Sequence, residues 1–313
     1  MPITAVWAAL APITKSARPL LCWGLGLNSF EKAIKIYIMK TNIFFTLTCF
    51  LISLVSYGQG ISPLEINNSR KIDDCKYQVK YNLRLVNNLA KPDNKKSDVL
   101  ILEIGQNTAK SYSYGLYKYD SIATVEIAKG AEAIPSFTGV TLPYIIYRDN
   151  QKFLTVNHRI LLVESTVYQY NEEPINFNWS ITKESKDIFG YSCQKATCTF
   201  RGRKWEAWFT REIPISEGPW KFSGLPGLIL KISDQDKHFD MEVISFTVSN
   251  KPILKWEWEF ENTSRKEVLS FEKYIHENPY NFSKSKGVQF FLYKKSEAEA
   301  RKFSFPYNPI ELE

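Results

Sequence analysis

The chain has 313 residues, enough for one or two domains with a sizeable core. With 44% hydrophobic and 23% charged residues and no long polar tract, the composition excludes a disordered or fibrous protein. The formal charge of +7 owes much to residues 1–58, which hold five basic residues and one Glu; without them it falls to about +3. So small an excess makes no case for nucleic acid as a partner.

From Met39 the chain reads MKTNIFFTLTCFLISLVSYGQG. Lys40 supplies a positive start and Ile43 to Val55 a short apolar run, with the small residues Ser56 and Gly58 ahead of a cut before Gln59. A spanning helix needs ~20 apolar residues, so a cleaved export signal over 39–58 is expected rather than an anchor. Cys49 lies inside the apolar run and follows Thr48, which argues against a lipoprotein signal. Residues 1–38 show no targeting pattern and read as an extension from a misplaced start codon. Residues 59–313 are then one exported domain, periplasmic or associated with the outer membrane, with no transmembrane span.

The first element of that domain, KYQVKYNLRLV, alternates Tyr77, Val79, Tyr81, Leu83 and Leu85 with polar residues, the pattern of a half-buried strand. VLILEIG and KSYSYGLY predict two more strands around Gly105-Gln106-Asn107, and Asp120 is placed to cap a helix from Ser121 to about Ala131. YIIYR, KFLTV, RILLVE and VYQY follow as short strands, and INFNWSITKE alternates Phe177, Trp179 and Ile181 with polar residues. YSCQKATCTF and KWEAWFT predict a hairpin about Arg201-Gly202-Arg203; LILKIS and FDMEVISFTV predict another about DQDKH. KWEWEFE reads as one strand with Trp256, Trp258 and Phe260 on one side. Ser264 or Thr263 caps a helix to about His276, and a last helix runs from Ser296 to about Lys302. The class is mainly β (α+β): a single curved antiparallel sheet with a few covering helices, comparable to the half-barrel of periplasmic lipoprotein carriers.

Between the two hairpins lies GPWKFSGLPGLILKISD, residues 218–234. Pro214 stops the preceding strand, Gly218-Pro219 turns the chain, and Pro226-Gly227 fits a type II turn with glycine where φ is positive. Trp220, Phe222 and Leu225 would fold this loop onto the core, making a rigid packed corner rather than a phosphate cradle. The block closely resembles the signature of the GLPGLI family, envelope proteins of Bacteroidota named for the hexapeptide that Gly224, Leu225, Pro226, Gly227, Leu228 and Ile229 reproduce. The upstream GPWKF (with Gly218 and Pro219), EIPIS and FRGR fit as well. The resemblance implies family membership and an envelope location but no established activity.

Three cysteines, Cys75, Cys193 and Cys198, remain after the export signal in an oxidising setting. Cys193 and Cys198 lie ~16 Å apart on one extended strand, beyond the ~7 Å bridging limit, so a disulfide would join Cys75 to one of them. Strand parity groups Cys198 with Ala196 and Phe200, whereas the resemblance favours Cys193; the choice stays open.

Chemistry is sparse. His158, His238 and His276 show no HExxH spacing, and there is no GxSxG. His238, beside Asp234, Asp236 and Asp240, reads as a solvated hairpin turn. No catalytic, cofactor-binding or metal-ligating residue is assigned, and no cofactor is expected. Arg203, Trp208 and Trp220 are the candidate ligand or partner surface: in KWEAWFT, Trp208 faces away from Trp205, Ala207 and Phe209 and could line a groove. The expected function is therefore a non-catalytic binding or accessory protein for an apolar ligand or an outer-membrane partner. The alternatives are an envelope hydrolase with a carboxylate site scattered through the chain and a purely structural envelope protein.

Overall fold

The computed structural model describes residues 62–132, 134, 137, 139, 141–161, 166–286 and 296–313, all within one compact unit, Gln59–Glu313. The expectations for 1–38 and 39–58 fall on residues outside these, as does part of RILLVE.

Fourteen strands and four helices are described. They are β1 (Ser69–Asp74), β2 (Tyr77–Val86), β3 (Lys95–Ile104), β4 (Thr108–Ser113), α1 (Tyr114–Ala128), β5 (Tyr144–Asp149), β6 (Leu154–Arg159) and β7 (Val167–Glu172). There follow β8 (Ser180–Ile188), β9 (Tyr191–Phe200), β10 (Arg203–Thr210), β11 (Leu228–Asp234), β12 (Phe239–Val248), β13 (Pro252–Trp256) and β14 (Phe260–Asn262). The chain ends with α2 (Arg265–Glu277), α3 (Pro279–Ser285) and α4 (Glu297–Arg301).

Twelve strands form one sheet in the order β14-β7-β6-β5-β4-β3-β2-β12-β11-β10-β9-β8, which does not close into a barrel. The protein is mainly β, as the alternation of short strands predicts. The sheet is mixed rather than wholly antiparallel, because β14 runs parallel to β7 at one edge. A second, two-stranded sheet pairs β1 with β13. KWEWEFE therefore splits in two: Trp256 ends β13 against Tyr112, and Trp258 stacks on Trp256 at 5.4 Å while its indole N–H donates to Glu65 O.

Period-2 burial decides which side of the sheet carries the core. Val79, Tyr81, Leu83 and Leu85 of β2 pack with Phe239, Met241 and Val243 of β12 and with Trp205, Ala207 and Phe209 of β10. A smaller cluster of Ile101, Tyr112 and Trp256 is separate from it; strand parity puts Ile101 on the face opposite Leu100 and Leu102.

Helix α1 starts seven residues before the predicted Ser121. Ser113, not Asp120, is its cap, accepting the Leu116 N–H at 3.1 Å. Asp120 is instead buried within the helix, where it binds Arg159 at 2.7 Å and accepts the Leu64 N–H at 3.0 Å. A tertiary ion pair outcompetes the local capping role. The C-terminal helices follow their sequence signals: capping boxes at Ser264/Glu267 and Ser296/Glu299 open α2 and α4.

Cys75, Cys193 and Cys198 are all free and buried. The candidate pairing of Cys75 with Cys193 or Cys198 is not formed, and the strand order explains why. Cys75 lies two residues before β2 and the other two on β9, with β12, β11 and β10 between those strands. Four strand spacings of ~4.8 Å far exceed the bridging distance.

Candidate functional site

The loop between β10 and β11 packs onto the main core. Trp220, Phe222 and Leu225 are buried, and Phe222 meets Trp205, Trp220 and Phe177 at ring-centroid distances of 4.7, 5.2 and 5.4 Å. Phe222 N–H donates to Pro219 O, closing a turn in which Trp220 itself takes a positive φ of 56°. At Pro226 the turn is tighter than type II: Gly227 N–H donates to Leu225 O at 2.8 Å, a three-residue γ-turn.

Lys221 extends from this loop into the interior with no solvent exposure. Its ammonium lies 2.9 Å from both Glu172 and Glu311. Arg201 and Arg265 flank the same two carboxylates at 3.2 to 3.7 Å. Nearby, Arg148 bonds to Glu217 and donates to Lys221 O at 2.7 Å. Arg203 is likewise buried, donating to Asp234, to Asn308 Oδ1 and to the carbonyls of Pro309 and Ile310.

These contacts stitch the C-terminal tail, residues 303–313, against the sheet and α2. Phe305 N–H donates to His276 O, Asn308 Nδ2 donates to Val86 O, and Leu312 N–H donates to Arg201 O. Arg201, Arg203 and Lys221 thus clamp a segment roughly 90 to 110 residues away in the chain.

The clamped tail forms one wall of a cavity of about 310 Å³. Leu85, Leu142, Phe239 and Ile310 supply apolar surface; Tyr144, Glu272, His276 and Tyr307 supply polar groups. Glu272 and His276 are one turn apart on α2, with His158 reaching Glu272 Oε1 from β6 at 3.3 Å. Tyr307 donates to the other carboxylate oxygen at 3.4 Å, and Tyr144 packs on His158 with ring centroids 4.4 Å apart.

Burial alone would push the Glu272 carboxyl up, but His158 and the Tyr307 hydroxyl hold it below its ordinary value, so it is ionised at neutral pH. Burial lowers the His276 pKa, against the opposing pull of Glu272 and the Pro306 carbonyl, and keeps the ring neutral there. Its Nδ1 lies 2.9 Å from Pro306 O, and a carbonyl only accepts, so Nδ1 carries the hydrogen. Nε2 is left as a hydrogen-bond acceptor. Burial also raises the Tyr307 hydroxyl well above its ordinary value, which keeps it a donor.

None of the three residues chosen from sequence as a ligand or partner surface is exposed. Arg203 and Trp220 are buried in the contacts above. Trp208 is only 7% exposed; its indole N–H donates to Glu206 and the Lys186 ammonium sits 3.8 Å above its ring, so the expected groove is closed. Trp208→Ala should therefore cost about 3–5 kcal/mol of stability, measured as a lowered Tm. An unchanged Tm would show that the lysine cover contributes nothing.

Asp234, Asp236 and His238 come close enough to hold a cation. Arg203 already engages two of the three, 3.1 Å from Asp234 and 3.4 Å from His238 Nδ1, and offsets the charge of Asp234.

Glu272, His276, His158 and Tyr307 were not singled out from sequence as a group, yet a local signal existed. Glu272 falls between Val268 and Ile275 on the buried stripe of α2, and His158 shares the parity of Leu154 and Val156 on β6. Glu172 shares the parity of Tyr168 and Tyr170 in the same way. A charged or polar residue at an apolar position marks an interior polar site.

Residues 201–231 match the sequence model of a family described as a protein of unknown function, Porph_ging. The matched stretch contains the hexapeptide and the three clamping side chains, Arg201, Arg203 and Lys221. No curated protein matches the chain. Two solved structures of PNGF-II, in the P21 and C2 space groups, are similar over 64% of this chain, with 13% and 12% identity and TM-scores of 0.43. The chain spans about a third of those proteins, 34% and 33% of their lengths. No helix among the described residues is long and apolar enough to cross a membrane, which leaves crossing by strands unaddressed.

Proposed function

We propose that this chain is a non-catalytic binding protein of the bacterial envelope, holding a small, largely apolar ligand in the cavity beside α2 and the C-terminal tail. The observation that carries this reading is the cavity: about 310 Å³, with apolar walls and a few convergent polar groups. Its size is at the lower end of the range for small-molecule sites. The export signal expected at residues 39–58 supports a periplasmic or outer-membrane-associated location, where an outer-membrane partner would supply or receive the ligand.

Native mass spectrometry of protein purified from envelope extracts tests the reading. Wild type should carry a small-molecule adduct that Leu142→Trp, which fills the cavity, lacks at unchanged Tm. An adduct retained by the folded filled variant would overturn the assignment. So would a wild type that carries no adduct and fails to bind added octanol.

A further inference from the structure

Six carboxylates are buried among the described residues: Asp120, Glu172, Glu217, Asp234, Glu272 and Glu311. Five have an arginine or lysine partner: Asp120 has Arg159, Glu217 has Arg148, Asp234 has Arg203, and Glu172 and Glu311 share Lys221. Glu272 is the exception, with only His158 and the Tyr307 hydroxyl against it. It is also the one of the six that lines the cavity, and no described lysine or arginine lines that cavity. A buried carboxylate ordinarily takes a lysine or arginine; here a histidine and a hydroxyl hold the charge, and no basic side chain approaches it from the cavity among the described residues.

We infer that the cavity selects ligands with a protonated amine head, the ammonium meeting Glu272 and the apolar body lying against Leu85, Leu142, Phe239 and Ile310. This rests on the binding-protein reading above and deepens it. The other polar groups agree. His276 Nε2 accepts a hydrogen bond and has no hydrogen to offer an anion. The rings of Tyr144 and Tyr307 line the same space, and aromatic rings attract a cation more than an anion. A fatty-acid carboxylate or a phosphate would instead bring a second negative charge to Glu272 with no basic side chain to meet it.

Calorimetric titration of the folded protein at pH 7 with octylamine, octanol and octanoate isolates the head group, since octylamine is protonated there. Octylamine should bind about tenfold or more tightly than octanoate, and Glu272→Gln should remove that preference while the folded variant still binds octanol. Octanoate binding as tightly as octylamine, with octanol also bound, would overturn the amine inference and leave the apolar cavity standing. A folded Glu272→Gln protein that keeps the preference would overturn it too. If none of the three binds, the binding-protein reading itself fails. If Glu272→Gln does not fold, carbodiimide coupling of octylamine to wild type provides the second measurement. Peptide mapping should place the amide on Glu272, and coupling confined to surface carboxylates would count against the inference.

Discussion

Replacing Gly227 by Val should abolish the cooperative unfolding transition. A Cβ at this position would lie 1.9 Å from Thr210 O and 2.7 Å from Thr210 C, so the obstacle is backbone rather than a side chain that could turn away. Thr210 is the last residue of β10 and is paired with Leu228, while Leu228 N–H also donates to Ile213 O. Relieving the clash means parting β10 from β11 at the entry to the loop. The cost should therefore exceed the ~1–3 kcal/mol expected for backbone strain alone. Gly224 is the control. Its φ of 90° strains any other residue, but the nearest atom to an added Cβ is 3.8 Å away. Gly224→Ala should lose only about 1–2 kcal/mol and stay folded. Thermal melts of the two variants separate clash from strain; a Gly227→Val protein melting within a few degrees of wild type would refute the account.

Lys221→Met should destabilise the protein by about 3–5 kcal/mol, because it leaves Glu172 and Glu311 buried without the cation between them. Arg201 and Arg265 remain near both carboxylates, at 3.2 to 3.7 Å, and limit the loss. The damage should be greatest at the tail, since Glu311 is one of its anchors. Amide exchange at residues 308–312 should accelerate more than exchange in β2 or β12. Adding Glu311→Gln should restore part of the loss, giving a double-mutant coupling on the order of 1–3 kcal/mol. Simple additivity would mean that Lys221 acts through packing alone. Because the tail walls the cavity, Lys221→Met should also weaken ligand binding at temperatures where the protein remains folded.

Much of the fold was legible in the sequence because its signals are local. The alternation in KYQVKYNLRLV, the two hairpins around Arg201-Gly202 and DQDKH, and the capping boxes at Ser264 and Ser296 each need only about ten residues to be read. The errors occurred where a distant partner overrode a local preference. Asp120 looked like a cap until Arg159 claimed it, and KWEWEFE looked like one strand until Trp256 was drawn against Tyr112. Trp208 was correctly placed opposite Trp205 in the alternation, but alternation does not say what covers a face, and the ammonium groups of Lys186 and Lys195 sit over this one.

By itself the sequence determined the class, the strand periodicity and the position of the packed loop, all consequences of backbone geometry and of which side chains leave water. Only the tertiary structure decided that Cys75 lies four strand spacings from β9, that Lys221 bonds to a carboxylate 90 residues away, and that His158 meets Glu272 across 114 residues. Those meetings depend on strand order and on the path of the tail. They are fixed by the global competition to bury apolar surface while giving every buried charge a partner. No local pattern encodes the outcome of that competition, although a charged side chain at an apolar position shows where to look for it.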